Sequence, residues 1–116
     1  MGCCYLKSSD RVIISKIVQY CDDIETLLNQ YDYNYDSYKS EIAFQYSCNM
    51  CILQIGELVG RLSEECKAKN RDIPWSAIKA MRNIHAHDYE KVDLDIVWNT
   101  LTVEIPELKE KLMDLL

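Results

Sequence analysis

Glycine and proline are scarce in this chain, three and two residues among 116. An all-β fold needs many turns, so that scarcity argues against one. Nor is there an apolar run approaching the ~20 residues that a membrane span requires. Histidine occurs only twice, at His85 and His87. The length suits a single domain with one apolar core. With 48% apolar and 28% charged residues, the composition is that of a globular protein rather than a disordered one.

Cysteine, by contrast, is plentiful: Cys3, Cys4, Cys21, Cys48, Cys51 and Cys66. No secretory leader is evident ahead of the domain, and most of these cysteines sit among apolar residues at helical spacing. They are expected to be buried, reduced thiols of a cytoplasmic protein. Cys48-Asn49-Met50-Cys51 has zinc-like spacing, but a structural zinc needs four ligands and no second pair of matching form is present. Core packing is the expectation, with no metal and no cofactor. Met1-Gly2-Cys3-Cys4 resembles a lipidation start, yet Leu6 stands where that motif wants Ser or Thr. Residues 1–8 are expected to form a flexible N-terminus, followed by a single domain over 9–116.

A formal net charge of −6 weighs against broad, nonspecific nucleic-acid binding. The charge is uneven, however. Residues 61–88 carry Arg61, Lys67, Lys69, Arg71, Lys79 and Arg82 against Glu64, Glu65, Asp72 and Asp88, a balance of +2 on a chain that is otherwise −8.

Helical spacing runs through nearly the whole chain. Ser8 or Ser9 offers an N-cap before Asp10, whose carboxylate suits a helix start. Ile13, Ile17, Tyr20, Ile24, Leu27 and Tyr31 then step by four and three along one face. Residues 31–36 lose that rhythm and read as a loop. Tyr33, Tyr35 and Tyr38 could stack on bases or pack their own rings against the bundle, and the second is preferred. A long helix is expected from about Ser37 to Lys69, buried through Phe44, Cys48, Cys51, Ile55, Leu58 and Leu62, with Ile52, Val59 and Cys66 widening the stripe. Gly56 and Gly60, four apart, suggest a seam for close helix approach. Pro74 suits the first turn of a third helix that buries Trp75, Ile78 and Met81. This helix should weaken around His87 to Tyr89. Asp93 would cap the last helix, whose buried face continues through Val97, Trp98, Leu101, Ile105, Leu108, Leu112 and Leu115; Pro106 should kink this helix or split it in two, and the unbroken rhythm favours a kink. The expected fold is all-α, an antiparallel bundle of four to five helices.

Chemistry concentrates in Met81-Arg82-Asn83-Ile84-His85-Ala86-His87-Asp88-Tyr89. A fixed guanidinium and an imidazole that titrates near neutrality can together cleave RNA without a metal. One group takes the proton of the 2′-hydroxyl, another protonates the leaving oxygen, and arginine stabilises charge on the phosphoryl oxygens. Asn83 could orient phosphate or ribose. Arg82 and His87 are five positions apart, about 500° on an ideal helix, so they point apart unless the helix ends between them or a second chain supplies one partner. His85, three positions on, shares the face of Arg82. A plain helix C-terminus, where Arg and His are favoured, is the rival explanation of the cluster. Glu57 either faces solvent or pairs with Arg82 and holds its guanidinium.

Three further elements accompany this cluster in order: Ile55-Gly56-Glu57-Leu58-Val59-Gly60-Arg61-Leu62-Ser63, then Ile73-Pro74-Trp75, and after the cluster Asp95-Ile96-Val97-Trp98. Together they resemble the HepT-like branch of the HEPN superfamily, with order and spacing matching over roughly residues 9–116. The resemblance implies a bundle that forms a homodimer, or a higher homo-oligomer, with its motif helices facing each other. It implies a metal-independent ribonuclease toxin of a prokaryotic toxin–antitoxin pair, with a composite site from both protomers. Arg82 and His87 would be the catalytic pair, supported by Asn83. Tyr89 matches the tyrosine to which a partner nucleotidyltransferase antitoxin adds AMP, which would put negative phosphate and bulk at the cleft. One departure stands out: the position of His85 is usually aliphatic in the family, so His85 either packs neutrally or competes with His87. A rival function is an inactive binding module that docks a nucleotidyltransferase partner.

Overall fold

The computed structural model describes residues 6–87 and 91–116, and the side chains of all of these except 84–87. Among the described residues the secondary structure is helical, without strands. The order is α1 (Ser8–Gln30), α2 (Tyr35–Ser40), α3 (Ile42–Arg61), α4 (Glu64–Lys69), α5 (Trp75–His87), α6 (Leu94–Asn99), a π-helical turn (Thr100–Glu104) and α7 (Ile105–Met113). Four rods make the bundle: α1, α3, α5 and the run from α6 through α7. Helix α3 lies at the centre, packed on α1 on one side and on α5 on the other. No described helix is long and apolar enough to cross a membrane.

The expected stripe of α3 is the core. Phe44, Cys48, Cys51, Ile52, Ile55, Leu58, Val59, Leu62 and Cys66 are all buried. The face of α1 is centred about one residue later than its spacing suggested. Ile14, Ile17, Val18, Cys21, Ile24 and Leu28 are buried, while Ile13, Tyr20, Leu27 and Tyr31 flank the core. In a helix packed against neighbours on two sides, the first apolar series noticed need not be the deepest one.

The long helix expected over 37–69 is divided into three. Glu41 adopts an extended backbone between α2 and α3, and Gln45 Nε2 donates to the carbonyls of Tyr38 (2.7 Å) and Lys39 (2.9 Å), satisfying acceptors freed by the break. Leu62 is extended after α3, and Ser63 caps α4 by accepting from the Cys66 N–H at 3.1 Å. Asp10 is responsible for holding this corner. It is buried in α1 and accepts from both the N–H (2.9 Å) and the hydroxyl (2.6 Å) of Ser63. Its role is therefore a cross-link between two helix starts, and the cap of α1 is Lys7 rather than a serine.

The turn after α1 is shorter than expected, because α2 begins at Tyr35 with Asn34 as its cap, accepting from the Ser37 N–H at 2.9 Å. The rings around it are core. Tyr31 stacks on Phe44 with centroids 4.1 Å apart, and Trp98 meets Tyr35, Tyr38 and Phe44. Tyr38 is buried and Tyr33 is exposed.

Around Pro106 the helix is irregular. Its missing N–H leaves the carbonyl of Thr102 without its usual donor, and the helix widens just upstream. Ile105 N–H bonds to Thr100 O, five residues back. Thr100 and Thr102 donate their hydroxyls to the carbonyls of Ile96 (3.1 Å) and Trp98 (2.8 Å). The apolar rhythm survives because Val97, Leu101, Ile105, Leu108 and Leu112 stay buried on both sides of the turn.

Candidate active site

Helix α5 carries the cluster, and its start is fixed by one large ring. Trp75 is buried and its Nε1 donates to the carbonyls of Lys67 (3.2 Å) and Asn70 (3.1 Å). That ties the end of α4 to the first turn of α5. Pro74 is the residue just before the helix, and its carbonyl accepts from Ile78 N–H at 3.1 Å. Ile78 and Met81 then pack against the core and set the rotation of α5 on α3.

Arg82 follows from that rotation. Its side chain crosses α3 at Gly56, where the two helices are in close contact. A Cβ built on Gly56 would collide with Arg82 Cβ and lie 2.6 Å from its Cγ. Among the described residues Gly60 has nothing within 4 Å of such an atom, so of the two glycines it is Gly56 that they show in the seam. Beyond the crossing, Nη2 of Arg82 forms an ion pair with Oε1 of Glu57, and Nη1 donates to Asn83 Oδ1 at 3.0 Å. Of the two placements open to Glu57, facing solvent or pairing with Arg82, the structure shows the pair. The Arg82 side chain keeps 31% of its surface exposed and that of Glu57 40%, so the guanidinium is both held and reachable.

The histidines are placed by backbone alone. Helix α5 extends through His87, so it does not end between Arg82 and His87. One of the two ways of uniting them in a single site is thereby removed. In helical register the two positions differ by about 140° around the axis, whereas His85 is about 60° from Arg82. The side chains of His85 and His87 lie outside the described residues, and so does Tyr89 entirely.

Part of the basic segment is neutralised locally. Lys67 pairs with Glu64 (3.2 Å) and Lys69 with Glu65 (4.0 Å) across single helical turns of α4. The groove between α5 and α7 has Ile52, Ile55, Ile78, Met81, Ile105 and Leu108 among its lining and does not reach Arg82. Cys21, Cys48, Cys51 and Cys66 are reduced and buried. Burial pushes the Cys21 and Cys48 thiols up to about 12 and that of Cys51 to about 11, far from the range of a reactive or metal-binding thiolate. Cys3 and Cys4 lie outside the described residues.

The signal missed in the sequence was Asp10. A lone acidic residue in a first turn is so well explained by the helix dipole that its partner 53 positions away left no local trace.

Comparison with known proteins agrees with this architecture. The model of the family described as Ribonuclease HepT-like matches residues 17–115. Two proteins of Methanocaldococcus jannaschii, named "Putative RNase MJ0125" and "Putative RNase MJ1216", are each 30% identical over 105 residues. These alignments cover 90% of this chain, with 89% of the first protein and 85% of the second. "Putative RNase TTE0752" of Caldanaerobacter subterraneus subsp. tengcongensis is 39% identical over 62 residues, covering 53% of this chain and 55% of that protein. No solved structure matches the chain. The matched span runs from within α1 through α7 and takes in the whole Arg82–Tyr89 cluster, and the chain belongs to the Ribonuclease HepT-like family of the HEPN superfamily.

Proposed function

We propose that this protein is a metal-independent endoribonuclease, acting as a homodimer in the cytoplasm as the toxin of a prokaryotic toxin–antitoxin pair. The observation that carries the reading is Arg82: a guanidinium anchored on two sides yet accessible, on the helix that also bears both histidines. Membership of a ribonuclease family supports RNA as the substrate.

In this mechanism one imidazole accepts the proton of an RNA 2′-hydroxyl while its oxygen attacks the adjacent phosphorus. The bond to the 5′-oxygen breaks and that oxygen takes up a proton, leaving a 2′,3′-cyclic phosphate and a 5′-hydroxyl. Arg82 stabilises the charge on the phosphoryl oxygens, and His87 is the proton carrier. Asn83, His85 and Glu57 support them. The register of α5 favours a site shared between two chains, because one chain directs positions 82 and 87 apart. An exposed apolar row also favours a second copy. Ile42, Tyr46 and Met50 step by four along α3 toward Glu57, and all three are exposed in the single chain.

AMP addition to Tyr89 by a nucleotidyltransferase antitoxin would silence the site, since a bulky anion two residues from His87 repels and blocks RNA. The test is cleavage of RNA in EDTA by wild type, Arg82→Ala and His87→Ala. Cleavage by the wild type alone, with cyclic-phosphate ends, is the expected result. A wild type that cuts nothing but binds a nucleotidyltransferase would make the chain a docking module instead.

A further inference from the structure

We infer that Gly56 and Glu57 of α3 form one positioning device for Arg82, so that the cation of the site is aimed by α3 rather than by its own helix. The inference rests on the proposed ribonuclease reading for its consequence, though its geometry stands apart from it.

An arginine on a helix surface has a long stem and much rotamer entropy to lose on ordering. Anchoring it before the substrate arrives removes that cost from the reaction. Here the stem and the tip are fixed by consecutive residues of one neighbour. At the base, Gly56 leaves just the space that Cβ and Cγ of Arg82 fill. At the tip, the next side chain, Glu57, grips Nη2. Asn83 takes one hydrogen of Nη1 from the side. A guanidinium has five N–H donors, and these two contacts leave others for phosphate. Roughly a third of the side chain is exposed, so the arginine stays within reach of a ligand.

A carboxylate next to a phosphate-binding arginine opposes an anion by its charge. Its advantage is geometric. A fixed fork meets the transition-state oxygens without reorganising, which is where preorganised charge contributes most. Glu57 does not touch substrate in this arrangement; it is a positioning residue that acts through Arg82.

A double-mutant cycle on the full chain tests this, using a short RNA as substrate. Glu57→Gln should lower kcat about 10- to 100-fold with KM changed by less than about threefold, since orientation rather than affinity is lost. In an Arg82→Ala background, followed through its residual cleavage with protein in large excess over RNA, the same change should do nothing more, because Glu57 has no other route to the chemistry. Glu57→Asp, which keeps the charge on a shorter arm, should fall between. Full activity in Glu57→Gln, or losses that multiply in the double variant, would overturn the inference. A second readout does not need catalysis. The Arg82 guanidinium should rotate slowly by ¹⁵N NMR in the wild type and fast in Glu57→Gln. Equal rotation in both refutes the positioning role. An inactive wild type that still shows this difference would sink the ribonuclease reading and leave the device standing.

Discussion

Gly56 of α3 and Arg82 of α5 occupy a contact with no room for one more carbon. A methyl group at position 56 would collide with the arginine's Cβ and stand 2.6 Å from its Cγ. Four residues on, a methyl group at Gly60 would meet nothing within 4 Å among the described residues. The two glycines are one turn apart on the same helix, so they form an internal control.

Gly56→Ala should destabilise the fold by about 1–3 kcal/mol, the usual cost of overpacking, because α5 must shift to admit the methyl group. Gly60→Ala should stabilise it by roughly 0.5–1 kcal/mol through helix propensity alone. Urea melts of the two variants check this. A Gly56→Ala protein as stable as Gly60→Ala would mean that the helices do not meet where the structure has them.

Asp10→Ala should cost about 2–3 kcal/mol, since it removes a charged acceptor and leaves the half-buried Ser63 N–H and hydroxyl without their partner. Asp10→Asn keeps one acceptor and should lose less. Chemical denaturation orders the three proteins, and the prediction fails if alanine is tolerated as well as asparagine. Hydrogen exchange should show the effect centred on α4, the helix that Ser63 caps.

Much of the molecule was legible from periodicity because burial is written in the 3.6-residue repeat. The core of α3 follows Phe44, Cys48, Cys51, Ile55, Leu58 and Leu62 without exception. Breaks that keep the phase were not legible. Glu41 and Leu62 interrupt a continuous apolar stripe by taking extended conformations, and the stripe resumes on the far side. The π turn ahead of Pro106 behaves likewise, widening the helix while Val97, Leu101 and Ile105 stay inside. In the site, the sequence left Glu57 with two placements, since the choice depends on how α3 and α5 cross. Only the Gly56 contact decides it.

The buried thiols predict an alkaline weakness. In the unfolded chain these cysteines ionise near their ordinary value of 9.0, whereas burial holds Cys48 to about 12 and Cys51 to about 11. Between those values the unfolded state has released protons that the native state retains, so stability is full below pH 9 and falls as pH rises toward 11. The slope is about 1.4 kcal/mol per pH unit for each thiol in that window. Cys48→Ala should therefore show a shallower loss of stability from pH 9 to 11 than the wild type, whatever its stability at pH 7. Parallel slopes would show that Cys48 is accessible or ionised in the fold. In the same way, peptide-level alkylation at pH 8 should leave Cys21 and Cys48 unmodified until denaturant is added.

The register of α5 makes the sharpest demand on the proposed mechanism. Positions 82 and 87 lie on a helix that is unbroken between them and face about 140° apart. If each site takes Arg82 from one protomer and His87 from the other, then Arg82→Ala and His87→Ala are each inactive alone but complement when mixed. In a mixed dimer one of the two sites receives both wild-type groups. With random assortment half of the dimers are mixed, so about a quarter of wild-type activity should return. Co-expression of the two variants, with differently tagged chains purified in tandem, isolates the mixed dimer and should raise recovery to about half. A site built within one chain gives no recovery at all, since every protomer then lacks one member of the pair. That result would direct attention to His85, whose position about 60° from Arg82 is the one a single helix can bring to the same phosphate.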